Sequence, residues 1–201
     1  MTSGQIFLVR HGQTEWSRSG RHTGRTEIPL TEQGESAARA VALVLPKDPD
    51  LVLCSPLQRA QQTAALAGLV ITETVPDLLE WDYGAWEGLT TAEIRARLNE
   101  PDWTIWAEPI PAGATAGEQL AEIQVRTTRV IEKCLPVVEA GGVCVLVAHG
   151  HVLRILTATW LCLEPIDGRL FALDPATVSI LGFEHEQRVI RTWNAGAHPS
   201  H

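Results

Sequence analysis

The most informative stretch of this chain is Leu8-Val9-Arg10-His11-Gly12-Gln13-Thr14, which places an arginine and a histidine directly after a short apolar run. The apolar run indicates a buried strand. In an open α/β sheet, the loop that leaves the carboxyl end of a strand borders the crevice where ligands bind, and a glycine lets the backbone approach a ligand closely. His11 would then face that crevice beside a fixed cation. The alternative is an ordinary turn whose histidine binds a nearby carbonyl, and the tripeptide alone does not choose between the two.

Strand-like and helix-like segments alternate along the 201 residues, which favours an α/β fold over an all-helical or all-strand one. Strands are predicted at 5–9, 51–54, 70–74, 143–148, 170–173, 177–183 and 189–193, and helices at 35–45, 56–67, 90–98, 115–139 and 151–161. Thr31 is expected to cap the first helix, Pro46 to end it, and Pro136 to interrupt the fourth. The segment 143–148 is nearly all apolar, as in a central strand covered on both faces. We predict a three-layer α/β/α sandwich with a mostly parallel central sheet, formed by a single domain over residues 1–195, with 196–201 as a disordered tail.

Composition narrows the classes of partner. A net charge of −8 argues against binding to nucleic acid or to anionic membranes, because polyanions are repelled at long range. The four cysteines form no C-x-x-C pair and indicate buried thiols in a reducing compartment. The N-terminus lacks the features of a signal peptide, and no apolar run reaches membrane-spanning length. We therefore expect a cytoplasmic protein.

Two further motifs follow predicted strands at the same edge of the sheet. Ser55-Pro56-Leu57-Gln58-Arg59-Ala60 places Arg59 in the first turn of a helix, where free amides and the helix dipole favour anions. Ala148-His149-Gly150-His151 puts His149 at the end of the most apolar strand. Taken singly, Arg59 is more typical of a helix surface and His149 of a core. Two strand-end histidines that are each followed by glycine favour a functional site.

A carboxylate is available in Asp77-Leu78-Leu79-Glu80-Trp81-Asp82-Tyr83-Gly84, where Glu80 has apolar and aromatic neighbours in sequence. An apolar setting would raise the pKa of this carboxyl, as a general acid at neutral pH requires. The alternative is a solvated loop carboxylate. Asp82 and Glu87 are close enough in sequence to take the same role.

Two histidines and a carboxylate are also compatible with a zinc site. The arginines nearby indicate whether the site binds a metal ion or an anion. Arg10 and Arg59 would repel a dication, whereas a bound phosphate would satisfy both guanidiniums. We therefore predict no metal and no organic cofactor. An imidazole between arginines, with a carboxylic acid nearby, is suited to attack on phosphorus and protonation of the leaving oxygen.

These motifs together resemble the histidine phosphatase superfamily, also called phosphoglycerate mutase-like. The similarity covers almost the whole chain and comprises Arg10-His11-Gly12, Thr14-Glu15-Trp16, Gly20-Arg21-His22-Thr23-Gly24, Pro29-Leu30-Thr31-Glu32-Gln33-Gly34, residues 55–60 and 80–88, and His149-Gly150. The resemblance implies that His11 is the nucleophile that becomes phosphorylated. It also implies that Arg10, Arg59 and His149 hold the phosphoryl oxygens and that Glu80 protonates the leaving group. Further substrate or phosphate contacts are expected from Ser17, Arg21, Thr23, Gly24, Gly150 and His151.

The chain departs from the family pattern at three places. Ser17 stands where many members have asparagine, and its shorter side chain would bind phosphate less directly or through water. His151 stands where glycine or asparagine is common, so it either contacts the substrate or caps the following helix. Trp81 follows Glu80, and residues 101–117 are short and contain no basic residue, whereas mutases of the family continue with Arg and Tyr motifs and a long basic insertion.

These features predict a phosphatase that hydrolyses small phosphomonoesters through a phosphohistidine. The first alternative is a cofactor-dependent phosphoglycerate mutase, which needs a cationic rim to grip a carboxylate. Only Arg21 and Arg25 are predicted near that rim, although Thr23-Gly24 offers backbone amides. The second alternative is an inactive phospho-ligand binding module, which would need no proton donor. A small phosphorylated metabolite is the expected partner, and a homodimer is left open.

Four tryptophans within and after the acid-bearing loop bear on the substrate: Trp81, Trp86, Trp103 and Trp106. One interpretation is an apolar lid that excludes water and accepts a non-polar or aromatic leaving group. The other is that they anchor long loops to the core.

Overall fold

The computed structural model describes residues 4–106 and 109–196. Within these residues the strands are β1 (Gln5–Arg10), β2 (Leu51–Cys54), β3 (Glu73–Thr74), β4 (Val143–Ala148), β5 (Thr177–Glu184) and β6 (Gln187–Gly196). The α-helices are α1 (Glu15–Ser19), α2 (Glu32–Val41), α3 (Gln58–Leu66), α4 (Thr91–Leu98), α5 (Leu120–Glu139) and α6 (Gly150–Trp160).

The strands form one sheet in the order β3-β2-β4-β1-β5-β6. The pairs β1–β4, β2–β4 and β2–β3 are parallel, whereas β5 and β6 are antiparallel to their neighbours. The carboxyl ends of β1, β2 and β4 therefore meet at one edge, where Arg10 pairs with Ala148 and Cys54 with Val147. The predicted mostly parallel sheet is confirmed.

Helices cover both faces of this sheet. Along β1, Ile6 and Leu8 belong to the apolar cluster that packs on α5 and α6, whereas Phe7 and Val9 belong to the cluster that packs on α2 and α3. Successive side chains of a strand point to opposite faces, so a continuous apolar run is what a strand with two covered faces requires. This arrangement confirms the three-layer sandwich.

Two predicted strands are wrong or shortened. The segment 170–173 contains no strand, because Leu170 ends a 3-10 helix (Pro165–Leu170) and is 67% exposed. The segment 70–74 contributes only β3, since Val70 is 85% exposed and follows a turn. Both segments carry apolar side chains that the fold leaves exposed, so an apolar pattern does not indicate a strand there.

The observed ends of several helices differ from the predicted ones. The predicted cap of α2 is confirmed, since Thr31 accepts a hydrogen bond from the Gly34 amide, but the helix begins at Glu32 and ends at Val41 rather than near Pro46. Helix α3 begins at Gln58, so Pro56 precedes the helix. Pro136 does not interrupt α5, which continues to Glu139.

The end of the chain and one of the cysteines differ from the predictions. Gly196 is the last residue of β6 and so lies within the sheet, whereas the rest of the predicted tail, 197–201, falls outside the described residues. Cys162 is exposed, contrary to the expectation of four buried thiols, and the other three cysteines are buried. None of the helices in the described ranges combines the length and apolar character needed to span a membrane.

Candidate active site

A cavity of about 180 Å³ opens at the sheet edge where β1 and β4 end. Eight of the eleven predicted site residues line it: Arg10, His11, Ser17, Arg21, Thr23, Glu80, Gly150 and His151. Arg59 and His149 are fully buried next to it, and Gly24 lies in the adjoining loop. The topology thus brings together residues that are up to 141 positions apart in sequence, from Arg10 to His151.

His11 is held in one orientation at the end of β1. Its backbone amide donates to Ala148, and its ring Nδ1 lies 2.7 Å from the carbonyl oxygen of Gly12, to which it donates. A proton on Nδ1 leaves the lone pair on Nε2. Burial, together with the charges of Arg59 and Arg10, holds the pKa of His11 well below its usual range. The ring is therefore a neutral imidazole with an available nucleophilic nitrogen.

Arg10 has unused hydrogen-bonding capacity in the cavity wall. Its Nη1 donates to the carbonyl of Leu173, whereas its buried Nε has no hydrogen-bond partner among the described residues. Burial lowers the pKa of this guanidinium. The start of α6 packs against this guanidinium, since a Cβ at Gly150 would lie in ordinary van der Waals contact with it, 3.4 Å from Arg10 Cζ. An unsatisfied buried donor is costly, and an anionic oxygen would satisfy it.

Arg59 and His149 form a buried pair behind the cavity. Arg59 Nε donates to His149 Nδ1 at 3.2 Å, and His149 Nε2 lies 2.7 Å from Ser55 Oγ. Since Nδ1 is an acceptor, the ring proton resides on Nε2 and is donated to the serine. The guanidinium also donates to the carbonyls of Thr23, Gly24 and Thr26, which fixes that loop at the cavity. Burial, followed by the charge of Arg59, lowers the pKa of His149 well below its usual range.

Glu80 lies in a polar setting rather than the apolar one predicted. Oε1 accepts hydrogen bonds from the amides of Trp81 and Val152, each at 2.9 Å, and Oε2 accepts one from the amide of His151 at 3.0 Å. Two of these donors are free amides in the first turn of α6, where the helix dipole also favours a carboxylate. The side chain is 5% exposed and lines the cavity.

The two other carboxylates considered for the acid role do not line the cavity. Asp82 accepts hydrogen bonds from the Gly84 amide and the Thr115 hydroxyl. Glu87 accepts from the amides of Gly24 and Thr26. Both stabilise loops, which leaves Glu80 as the member of this trio that faces the site.

The residues predicted to contact phosphate differ in whether their hydrogen-bonding groups are already occupied by other residues. The Ser17 hydroxyl is engaged in a capping box with Thr14, from whose amide it accepts at 2.9 Å. Arg21 donates to the Gly88 carbonyl at 2.6 Å and forms an ion pair with Glu93 at 3.1 Å. Thr23 lines the cavity, whereas the Gly24 amide is occupied by Glu87. Gly24 is therefore unavailable as a donor to substrate, contrary to expectation.

Five cavity residues were missed or given no role: Gly20, His22, Tyr83, Arg154 and Leu173. His22 and Tyr83 lie inside motifs already singled out. Arg154 follows Gly150 by four residues on α6, and side chains four apart share a helix face, so this spacing was a usable signal. Its guanidinium lies 4.8 Å from the Trp106 ring centre. Burial lowers the pKa of His22 to about 4.

The tryptophans do not form a lid. Trp81, Trp86, Trp103 and Trp106 are between 1% and 9% exposed and belong to the main apolar cluster, and none is among the residues that line the cavity. They anchor the long loops to the core. Over residues 4–106 and 109–196, no group of three or more histidine, cysteine, aspartate and glutamate side chains is arranged to hold a metal ion.

The chain belongs to the histidine phosphatase superfamily (branch 1), whose family model matches residues 6–196. It is 39% identical over 198 residues to an acid phosphatase of Mycobacterium tuberculosis, an alignment that covers 97% of this chain and 94% of that protein. It is 34% identical over 161 residues to 2,3-bisphosphoglycerate-dependent phosphoglycerate mutase 2 of Gloeobacter violaceus, with 75% and 73% covered. A solved structure of an open reading frame product from Mycobacterium tuberculosis matches with a TM-score of 0.89 and 38% identity, covering 97% of this chain and 99% of that one.

Proposed function

We propose that this chain is a phosphatase that hydrolyses small phosphomonoesters through a phosphohistidine formed on His11, with Glu80 as the proton donor. The observation that carries the proposal is the orientation of His11. Its ring is neutral, its Nδ1 is fixed on Gly12, and its Nε2 makes no hydrogen bond to another described residue in a cavity flanked by guanidiniums.

In the first step, the Nε2 lone pair of His11 forms a bond to phosphorus while the bond from phosphorus to the leaving oxygen breaks. The proton of Glu80 passes to that oxygen. Oε1 accepts two amide hydrogen bonds and Oε2 only one, so Oε2 retains a position for the proton. Arg10 Nε supplies a donor that is already fixed in the cavity wall to a phosphoryl oxygen.

In the second step, a water molecule attacks phosphorus and the bond to His11 breaks. Glu80, now a carboxylate, accepts the water proton, and phosphate and the neutral imidazole are regenerated. We propose that no metal ion takes part, because the guanidiniums already offset the phosphoryl charge. A direct contact of His149 with a phosphoryl oxygen requires exchange of one of its two hydrogen bonds, to Ser55 or to Arg59.

Arg154 makes the mutase alternative stronger than the sequence suggested. Arg25 pairs with Glu118 at 3.8 Å and does not line the cavity, whereas Arg154 does. Arg21 lines it but is paired with Glu93. The rim therefore offers one guanidinium without a carboxylate within ion-pair distance among the described residues, besides Arg10. Mutase action must keep a bisphosphorylated intermediate bound while it reorients, and these few cations are a weak grip for it, so we favour hydrolysis.

A panel of phosphomonoesters assayed for released phosphate, in the presence of a chelator, tests this proposal. Interconversion of 3- and 2-phosphoglycerate with added 2,3-bisphosphoglycerate is measured in parallel. We expect phosphate release from several monoesters and no efficient interconversion. Interconversion that exceeds phosphate release would support the mutase instead. A small phosphorylated metabolite remains the proposed partner, and a homodimer remains a prediction.

A further inference from the structure

The His151 ring is enclosed by other rings at the cavity wall. Ring centres lie 5.8 Å from it for Trp81 and for Tyr83, 5.1 Å for Trp106 and 6.3 Å for His22. The first two contacts are edge-on. A ring with neighbours on several sides has little rotational freedom, so the direction of its nitrogen atoms is fixed in the free enzyme.

One hydrogen bond sets the tautomer of this ring. Tyr83 Oη lies 2.6 Å from His151 Nδ1, and the tyrosine hydroxyl has no other hydrogen bond among the described residues. Donation by the hydroxyl satisfies its proton and makes Nδ1 the acceptor, whereas the opposite direction would leave a buried hydroxyl proton without a partner. Burial lowers the pKa of His151 and raises that of Tyr83, so both groups are neutral. The ring proton then resides on Nε2.

His151 contacts the proposed proton donor through its backbone and shares the cavity with it. The backbone amide of His151 binds Glu80 Oε2 at 3.0 Å, and both side chains line the cavity. The ring nitrogen Nε2 makes no hydrogen bond to another described residue. A leaving group that receives the Glu80 proton lies in the cavity that the His151 side chain also lines, where Nε2–H is an unused donor.

We propose that Tyr83 is a positioning residue that holds His151 as a neutral Nε2–H donor to the leaving group of the substrate. This inference rests on the proposed phosphatase function and deepens it. The preferred substrates are phosphomonoesters whose leaving group carries an oxygen acceptor near the ester bond, as in a polyol, rather than plain alkyl or aryl esters. A substrate whose leaving group accepts this hydrogen bond gains about one hydrogen bond over a substrate that cannot accept it. This gain corresponds to a roughly tenfold higher kcat/KM.

Histidine side-chain ¹H–¹⁵N spectra test the tautomer directly in the full-length protein. We expect a protonated Nε2 and an unprotonated Nδ1 for His151, identified by the signals lost in H151Q. Y83F should produce a mixture of tautomers. T91V is the matched control, because Thr91 is the hydroxyl partner of the neighbouring His22, at 3.4 Å, and its loss should leave the His151 signals in place. A protonated Nδ1 in the unaltered protein would overturn the proposal.

A pair of substrates tests the consequence for specificity. The ratio of kcat/KM for glycerol 1-phosphate to that for n-propyl phosphate should fall about tenfold in Y83F and H151L. H151Q, which retains an N–H donor, should recover part of it, and T91V should keep it. Circular dichroism checks that each variant is folded. If Y83F does not fold, the comparison of H151L with H151Q still tests the role of the His151 donor.

An unchanged ratio in H151L would overturn the specificity role even if the tautomer is as expected. Failure of the proposed phosphatase function would be visible separately, as absence of phosphate release from every monoester. The spectra alone would then decide whether Tyr83 positions His151.

Discussion

At the residue scale, the site depends on tautomers and protonation states that neighbouring groups impose. His11 is neutral because it is buried near two guanidiniums, and its Nδ1 proton is fixed by Gly12. Sequence motifs identified the residue but not the atom. The hydrogen bond between adjacent residues that selects Nε2 is a matter of local backbone geometry, and it becomes visible only in the structure.

Replacing Glu80 with glutamine should slow hydrolysis most for substrates with basic leaving groups. Glutamine cannot transfer a proton, and protonation matters most when the departing alkoxide is strongly basic. We expect a loss of about 10²–10⁴-fold for alkyl phosphates and a much smaller loss for an activated phenol. Steady-state rates across a series of leaving groups measure this effect.

D82N is the matched control for this substitution, because Asp82 belongs to the same loop but binds Gly84 and Thr115 rather than facing the cavity. Its effect should be the same for all leaving groups. If E80Q also costs one constant factor across the series, Glu80 is not the general acid.

At the scale of elements, the acid-bearing loop is held by helix α5. Arg126 on α5 donates to the carbonyls of Asp77 and Leu79 at 2.7 and 2.6 Å, and it pairs with Glu118 at 2.6 Å. The guanidinium also reaches the Glu80 carbonyl at 3.3 Å. One buried side chain thereby fixes a loop that has little regular structure and positions the proposed proton donor.

R126M should lower the free energy of unfolding by about 2–4 kcal/mol, because the carbonyls of Asp77 and Leu79 lose their donor and the half-buried Glu118 keeps only its longer pair with Arg25. It should also lower kcat through displacement of Glu80. R129M is the control, since the exposed pair of Arg129 with Asp77 lies on the same helix and is worth at most about 1 kcal/mol. Urea unfolding measures both. Equal losses in the two variants would contradict the assigned role of Arg126.

How far the sequence could predict these elements depends on the kind of signal. Strands β2 and β4 were predicted with their observed ends, because a covered strand requires a continuous apolar run. The strand at 170–173 was wrong, since Leu170 is exposed despite its apolar side chain. The position of Glu80 was out of reach, because it is set by amides more than 70 residues away. The apolar pattern of the sequence therefore predicted the site residues at strand ends. Glu80 is positioned by long-range hydrogen bonds, which the pattern does not reveal.

At the scale of the whole molecule, buried histidines link stability to pH. Burial lowers the pKa of His22 to about 4, from a usual value of 6.5. Below pH 6.5 the unfolded chain therefore binds a proton that the folded chain does not, and stability falls as the pH decreases toward 4. The contribution of His22 over this interval is about 3 kcal/mol. His11, His149 and His151 act in the same direction.

H22Q should therefore reduce the loss of stability between pH 7 and pH 4.5, as measured by urea unfolding at each pH. His185 lies on the exposed turn between β5 and β6 and provides the control variant, H185Q. An identical pH dependence in the original protein and in H22Q would contradict the burial of a neutral His22.

The central claim is that the phosphoryl group passes through His11, and trapping the intermediate tests it most directly. The protein is mixed with a labelled phosphomonoester, quenched within milliseconds in alkali or acid, and digested. We predict label on the peptide that contains His11, stable in alkali and lost in acid, and neither label nor turnover in H11A. An acid-stable adduct, label on another residue, or undiminished turnover in H11A would contradict the account.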